Sequence, residues 1–403
     1  VVQMLAVVTI LSAAVATLVM ALYANRPFGL APGMGLNAFF AFTVVGAMGV
    51  PWETALAAVV VEGVLFVVLT MVGVRRYVIE LFPLPVKQAV GAGIGLFLAI
   101  IGLQEMRVVV ADPATLVALG NLAADPVALL SVAGLMLTLA LYARGVRGAI
   151  VIGILATAAA GWTAAWMGVA GPDPETPLAP AIPTPRYDIT PLVGAFLEGF
   201  AHVDVFAFAL VVLTFFFVDF FDTAGTLTGV AQAAGFLDER GNLPEIEKPL
   251  LADAVGTTVG GMLGTSTVTA YVESATGVEE GGRTGLTALV VALLFIASLA
   301  VVPLAAAIPL YASHIALVVV ALLMLRGITT VDWSDAAHAI PAGLTVIVMP
   351  FTFSIAYGIA AGLISYPLIK LAKGEGRDVS GGQWILAVLL VGYLFVQTSG
   401  RVG

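Results

Sequence analysis

Apolar runs long enough to cross a membrane follow one another along almost the whole chain, with short polar connections between them. About 30 Å of hydrocarbon takes roughly 20 helical residues to cross. Runs of this kind lie near 3–24, 33–48, 52–74, 86–103, 127–143 and 148–168. After a loop rich in proline (Pro172, Pro174, Pro177, Pro180, Pro183, Pro185), a second set lies near 203–230, 249–263, 267–279, 284–309, 312–326, 339–353 and 355–373. A short apolar tail at 384–397 either crosses or lies at the interface. The pattern predicts an all-α polytopic membrane protein with no room for a separate soluble domain.

Two stretches break the helical pattern. Phe28–Phe40 sets Pro32, the glycines Gly29, Gly33 and Gly35, and the amide of Asn37 inside an apolar run. Gly264–Gly277 opens by alternating small polar and apolar residues, a period of two that favours an extended strand, before a short helix can begin. A bilayer cannot satisfy free backbone groups, so such interruptions survive at membrane depth only where protein buries them or they line a ligand cavity. In each half of the chain an extended piece precedes a helical one, the pattern that points to inverted repeats with a binding site at the midplane. The symmetry is one of pattern; residue identity between the halves is not evident.

Carboxylates inside apolar segments add candidate chemistry. Asp219 and Asp222 in Phe215–Thr226 are three residues apart and share a helix face. An ionised acid there costs several kcal/mol, so such residues are rare and usually functional. Burial disfavours the charged form, which would let one of these acids exchange a proton during transport. Asp219 and Glu273 have no cationic neighbour in sequence and read as functional groups. Asp222 reads equally well as a structural acceptor. Asn37 either caps a half-helix or serves the site, and the second reading fits a break at membrane depth better. Glu62, in the middle of its span, has an open role. Glu279, Glu280 and Arg283 read as a solvated cluster, while Gly91, Gly93, Gly95, Gly225 and Gly229 read as helix contact faces. The phenylalanines of 215–221, with Phe39 and Phe40, read mainly as packing, although a ring there could stack on a flat ligand.

Composition agrees with a membrane placement: 61% of residues are hydrophobic and 10% charged. With no cysteine there is neither a disulfide nor a thiolate metal site, and His202, His314 and His338 form no ligand cluster, so no cofactor or metal is expected. The net charge of −9 identifies no partner, and nothing points to nucleic acid. Alternating the spans gathers Arg75, Arg76, Arg144, Arg147, Arg240, Lys248, Arg283, Arg326, Lys370, Lys373 and Arg377 on one side, with Arg107 and Arg186 opposite. A Lys and Arg excess marks the cytoplasmic side, which makes the proline-rich loop external. Val1 then starts outside without a charged leading segment, and the expectation is that one leading helix is missing from this chain.

The stretches Gly29–Ala38, Phe217–Thr223, Gly264–Thr269 with Glu273–Ala275, and Gly281–Thr287 together resemble the signatures of the AzgA-like guanine/hypoxanthine permeases, within the wider nucleobase cation symporter and nucleobase-ascorbate transporter group. The resemblance spans almost the entire chain. It implies fourteen helices in a 7+7 inverted repeat, with the first helix absent here, and a core domain that moves against a gate domain. It also implies purine uptake driven by protons across the cell membrane. The core would comprise 1–84 and 203–310 and the gate 85–175 and 311–373, with an external loop at 176–202 and a tail at 374–403. Carried over residue by residue, the family's essential amide falls on Asn37, its acids on Asp219 and Glu273, and a second acid on Asp222. Gly33 and Ser274 join the substrate contacts, and Asp219, Asp222 and Glu273 are the proton-coupling candidates.

A carboxylate accepts two adjacent N–H donors, as guanine presents, or the single N1–H of hypoxanthine; adenine remains open. The expected partners are thus a purine nucleobase, a proton (with sodium as the alternative coupling ion) and the lipid bilayer. A homodimer is compatible with the sequence. The alternative within transport is an anion carrier of the related sulfate-permease architecture, in which helix N-termini hold an anion; Asp219 and Glu273 would repel such a ligand. An intramembrane hydrolase with Asp219 and Asp222 as its acid pair belongs to a different class. Acid dyads come from separate helices that face each other, and no metal-binding motif offers another route. An inactive sensor is the last alternative.

Overall fold

Hydrocarbon offers a backbone no hydrogen-bonding partner but the protein itself, and the chain answers with helix along most of its length. The computed structural model describes residues 2–73, 81–169, 178–180, 184, 187–201, 205–236, 243–271, 273–279 and 281–399. The expectations for Arg75, Arg76, Arg186, His202, Arg240, Glu280, Pro172, Pro174, Pro177, Pro183 and Pro185 fall outside the described residues.

In chain order, helix α1 (Val2–Val19) runs into a π-helical segment, Met20–Ala24. Strand β1 (Leu30–Pro32) and helix α2 (Met34–Ala38) follow, and α2 continues with π-helical geometry through Phe39–Ala47. Next come α3 (Trp52–Met71), α4 (Leu84–Glu105), strands β2 (Val109–Asp112) and β3 (Leu116–Leu119), α5 (Pro126–Ala143) and α6 (Ala149–Trp166). The second half contains α7 (Val205–Ala234), α8 (Glu247–Leu263), strand β4 (Val268–Ala270), α9 (Ser274–Glu279) and α10 (Gly285–Ser298). It ends with α11 (Ile315–Met324), α12 (Ala336–Thr352), α13 (Ile355–Ala372) and α14 (Gly381–Ser399). Among the described residues, seven helices are long and apolar enough to cross a membrane. Five further apolar helical stretches, Met34–Ala47, Ala207–Phe220, Ala336–Thr352, Tyr357–Ala372 and Gly381–Gly392, are shorter.

The chain forms two compact units, Val1–Gly93 with Tyr187–Ala300 and Gly327–Gly403, and Ile94–Arg186 with Val301–Arg326. In the first, α8 packs against both α1 and α3, and α12 pairs with α13. One of its cores joins Ala16, Met20, Phe28 and Leu30 to Leu227, Val230, Val268 and Ala270, so both interrupted stretches share one apolar cluster. Asp335 caps α12 by accepting from Ala337 N at 2.8 Å, and Lys373 Nζ reaches the same carboxylate at 2.7 Å. Gly93 meets Met349 and Thr345, as a contact-face glycine should; a Cβ on Gly91 would meet nothing within 4 Å.

In the second unit, α5 begins at Asp125, whose carboxylate accepts from Val127 N at 2.9 Å with Pro126 as the first helical residue. Both choices suit a helix start, because they deal with amides that have no helical partner. Arg107 Nε binds the other Asp125 oxygen at 2.8 Å. One element the membrane-span pattern does not predict is the β2–β3 hairpin, paired antiparallel from Val109–Leu119 to Asp112–Leu116. Its turn is held by Asp112 Oδ1, which accepts from the Thr115 and Ala114 amides, both at 2.8 Å. These bonds, that of the Thr115 amide first, hold the Asp112 carboxyl below its ordinary pKa. The turn is therefore firm above the usual aspartate range and loosens as pH falls through the depressed value. Amide exchange at Thr115 should speed up in acid, beyond the intrinsic pH trend, and an Asp112→Asn protein should lose that extra pH dependence.

Helix α8 ends at Gly264, whose φ of +98° suits glycine; a Cβ there would sit 2.7 Å from Leu192 Cβ and 2.8 Å from Leu192 O. Gly264→Ala should destabilise the protein by about 1–3 kcal/mol. The loss is read as a lower thermal midpoint by tryptophan fluorescence in detergent.

Candidate functional site

The two interrupted stretches meet as a pair of three-residue strands. β1 and β4 run antiparallel with Leu30 opposite Ala270, Ala31 opposite Thr269 and Pro32 opposite Val268, and all six residues are buried. Gly33 N donates to Thr267 O at 3.1 Å and Tyr271 N to Gly29 O at 3.0 Å, extending the ladder at both ends. Pro32 brings no N–H, which a strand with a free edge tolerates.

Side-chain hydroxyls finish the accounting that so short a sheet leaves open. Thr17 Oγ1 of α1 both donates to Leu30 O and accepts from Leu30 N, each at 2.9 Å. Thr257 Oγ1 of α8 donates to Val268 O at 2.8 Å. Tyr271 Oη donates to Pro32 O at 2.6 Å, and Ser274 Oγ accepts from Gly29 N at 3.0 Å. Ser274, expected at the substrate, thus accepts with its hydroxyl oxygen from the amide of Gly29, the residue before β1.

Around this pair the polar groups fall into two tiers. The outer tier holds Asn37, which is exposed, with Asp222, Tyr271 and Glu273, all half-buried. Asn37 Oδ1 accepts from Ser266 Oγ, so the first break is tied to the second at the predicted amide. Asp222 lies in electrostatic reach of Glu273 and Asp253. A Cβ placed on Gly33 would meet Thr269 Cγ2 at 2.7 Å and Asp222 Oδ2 at 3.5 Å. Glycine at 33 thus keeps the start of α2 clear beside that carboxylate.

The inner tier is closed to solvent: Asp219, Thr223, Asp253, Thr267 and Glu62 each have 0% exposure and Thr269 has 1%. Thr223 Oγ1 lies 3.2 Å from Asp219 Oδ1, 2.9 Å from Asp253 Oδ1 and 2.9 Å from Thr269 Oγ1. Thr267 Oγ1 donates to Glu62 Oε2 at 3.2 Å, which gives the mid-span acid of α3 a partner at the foot of β4. Asn37, Gly33, Asp219, Asp222, Glu273 and Ser274 all belong to this one compact unit. The phenylalanines surround it as packing: Phe39 meets Phe215 edge-on at 5.2 Å, and Phe66 stacks on Phe216 at 4.6 Å.

Asp253 is the main residue the sequence reading missed. It follows Leu250-Leu251-Ala252 inside an apolar run, the same signal that singled out Asp219. Thr223, Ser266, Thr267 and Thr269 stood in the quoted stretches, but hydroxyls carry no signal of their own until a fold brings them to a carboxylate.

A helical protein with membrane-length spans and a polar cluster around two paired strands is of the transporter class. The Xan_ur_permease pattern, described as a permease family, matches residues 1–361, and the chain belongs to that family. It is a multi-pass membrane protein and a permease rather than an enzyme. Among its relatives, the adenine permease AdeP of Escherichia coli is 40% identical over 96% of this chain and 84% of its own. The guanine/hypoxanthine permease PbuO of Bacillus subtilis is 40% identical over 96% of this chain and 88% of its own. The transmembrane domain of the cyanobacterial bicarbonate transporter BicA superposes with a TM-score of 0.60 over 88% of each chain. At 17% identity that likeness concerns the fold alone.

Tyr271→Phe leaves the buried Pro32 carbonyl without the Tyr271 hydroxyl and should cost about 1–3 kcal/mol. The check is a lower thermal midpoint with no change in expression.

Proposed function

We propose that the chain imports purine nucleobases, guanine or hypoxanthine with adenine as a further cargo, by proton symport. The observation that carries the reading is the 40% identity to adenine and guanine/hypoxanthine permeases over 96% of the chain. The chemistry of the outer tier fits such a cargo. Glu273 or Asp222 accepts the N–H donors of the purine edge, while Asn37, with its Oδ1 held by Ser266, offers amide donors to the 6-oxo group or a ring nitrogen. Asp219, Asp222 and Glu273 carry the coupling proton. Protonation cancels buried charge, which lets the loaded site move.

Movement in this reading is alternating access by an elevator or rocking step, with the core (1–84 and 203–310) working against the gate (85–175 and 311–373). A 7+7 inverted repeat is supported by the order strand then short helix in both breaks, β1 before α2 and β4 before α9, and by their antiparallel pairing.

The test is uptake of labelled hypoxanthine, guanine and adenine in cells lacking their own purine carriers, with and without a protonophore. Wild type should accumulate purine and lose accumulation with the protonophore. Asp219→Asn should abolish accumulation, and Asn37→Ala should raise the half-saturating purine concentration about tenfold or more, the loss of the uncharged amide contacts that Asn37 offers the cargo. A folded wild type that takes up no purine but moves bicarbonate or sulfate would replace this reading with an anion carrier.

A further inference from the structure

Four oxygens meet at Thr223 in a pocket closed to solvent, and their hydrogens can be counted. Thr223 Oγ1 has one hydrogen and two lone pairs, and it stands at hydrogen-bond distance from Asp219 Oδ1, Asp253 Oδ1 and Thr269 Oγ1. With both acids ionised, its single hydrogen serves one carboxylate oxygen and turns a lone pair towards the other. With one proton on the pair, all three contacts close: the protonated acid and Thr269 donate to the two lone pairs, and Thr223 donates to the ionised acid. One proton on the two acids is thus compatible with every contact that Thr223 makes.

We propose that Asp219, Thr223 and Asp253 form a proton relay, in which Asp253 of α8 is the second seat of the coupling proton and Thr223 hands it across. The transfer is balanced. The O–H bond at Asp219 breaks as one forms at Thr223 Oγ1, while the Thr223 O–H bond breaks as one forms at Asp253 Oδ1. Thr223 ends as it began, the trio keeps its total charge, and one proton has moved from α7 to α8. Among the nearby ionisable groups, Asp222 on α7 is in electrostatic reach of Asp253 and of Glu273, and Tyr271 is in reach of Asp222 and Glu273; these three belong to the outer tier, while Glu62 on α3 is bound by Thr267. The relay thus lies behind the proposed purine contacts, and Thr269 of β4 links the two. A shift of β4 on loading would alter the donor that Thr223 receives, and with it which acid holds the proton. The inference rests on the proton-symport reading above and adds two residues to it.

The test uses the full chain in proteoliposomes with an interior pH dye and labelled hypoxanthine, alongside infrared spectra of the same purified protein near neutral pH. Thr223→Val keeps the shape and removes the hydroxyl; Thr223→Ser keeps the hydroxyl. The expected result is that Thr223→Val still binds hypoxanthine but loses proton entry, its proton-driven rate falling about a hundredfold, while Thr223→Ser restores both. The protonated-carboxyl stretch of wild type should shift in Thr223→Val, return in Thr223→Ser, and weaken in Asp253→Asn. Unchanged proton entry in Thr223→Val and Asp253→Asn, or uptake driven by sodium instead, would overturn the relay. A wild type that moves no purine yet shows the hydroxyl-dependent carboxyl band would overturn the cargo reading and leave the shared proton standing.

Discussion

Six backbone residues, three on each of β1 and β4, allow this protein to carry extended chain among membrane-length helices. Helix satisfies its own amides; an extended segment does not, and in hydrocarbon each orphan group costs several kcal/mol. The antiparallel pairing of Leu30–Pro32 with Val268–Ala270 resolves this by letting each interruption serve as the other's partner. Neither break is stable alone, which makes the unit around them a cooperative one. Thr17, Thr257, Tyr271 and Ser274 then bind the backbone atoms at the margins of the pair.

The same pairing concentrates the polar chemistry. Because β1 and β4 lie against α7 and α8, residues far apart in sequence converge: Asn37 with Ser266, Thr223 with Asp253 and Thr269, Glu62 with Thr267. Three carboxylates, Asp219, Asp253 and Glu62, are fully buried, and each has a threonine hydroxyl against it. A hydroxyl suits such a position better than a cation would. It stabilises either protonation state by rotating its hydrogen, so the acid stays free to change charge, whereas a lysine or arginine would lock it ionised. In the proposed symport, an acid that gains and loses a proton inside a membrane is served by this kind of neighbour.

Much of the fold was legible because a bilayer restricts the options so severely. The apolar runs marked the helices, with α3 expected near 52–74 and observed at Trp52–Met71, and α5 expected near 127–143 and observed at Pro126–Ala143. The extended-then-helical order of both breaks was also readable, since a period of two and a glycine–proline interruption exclude continuous helix. The β2–β3 hairpin was not read, although Val-Val-Val-Ala-Asp followed by proline is a strand-and-turn signal, because a search for runs near 20 residues passes over four-residue strands.

The sequence by itself determined that the chain crosses membranes, where its helices lie, which segments depart from helix, and that Asp219 sits where a polar group is costly. All of that follows from local composition and period, which the solvent dictates residue by residue. Only the tertiary structure decided that the two departures pair with each other, that Ser274 is held by Gly29, and that Asp253 and Thr223 complete a hydrogen-bonded chain with Asp219. Apart from the Thr223–Asp219 contact, four positions long, those facts depend on contacts between residues 30 to 245 positions apart in the chain, and a hydrogen bond across such a separation leaves no mark on the spacing of either partner.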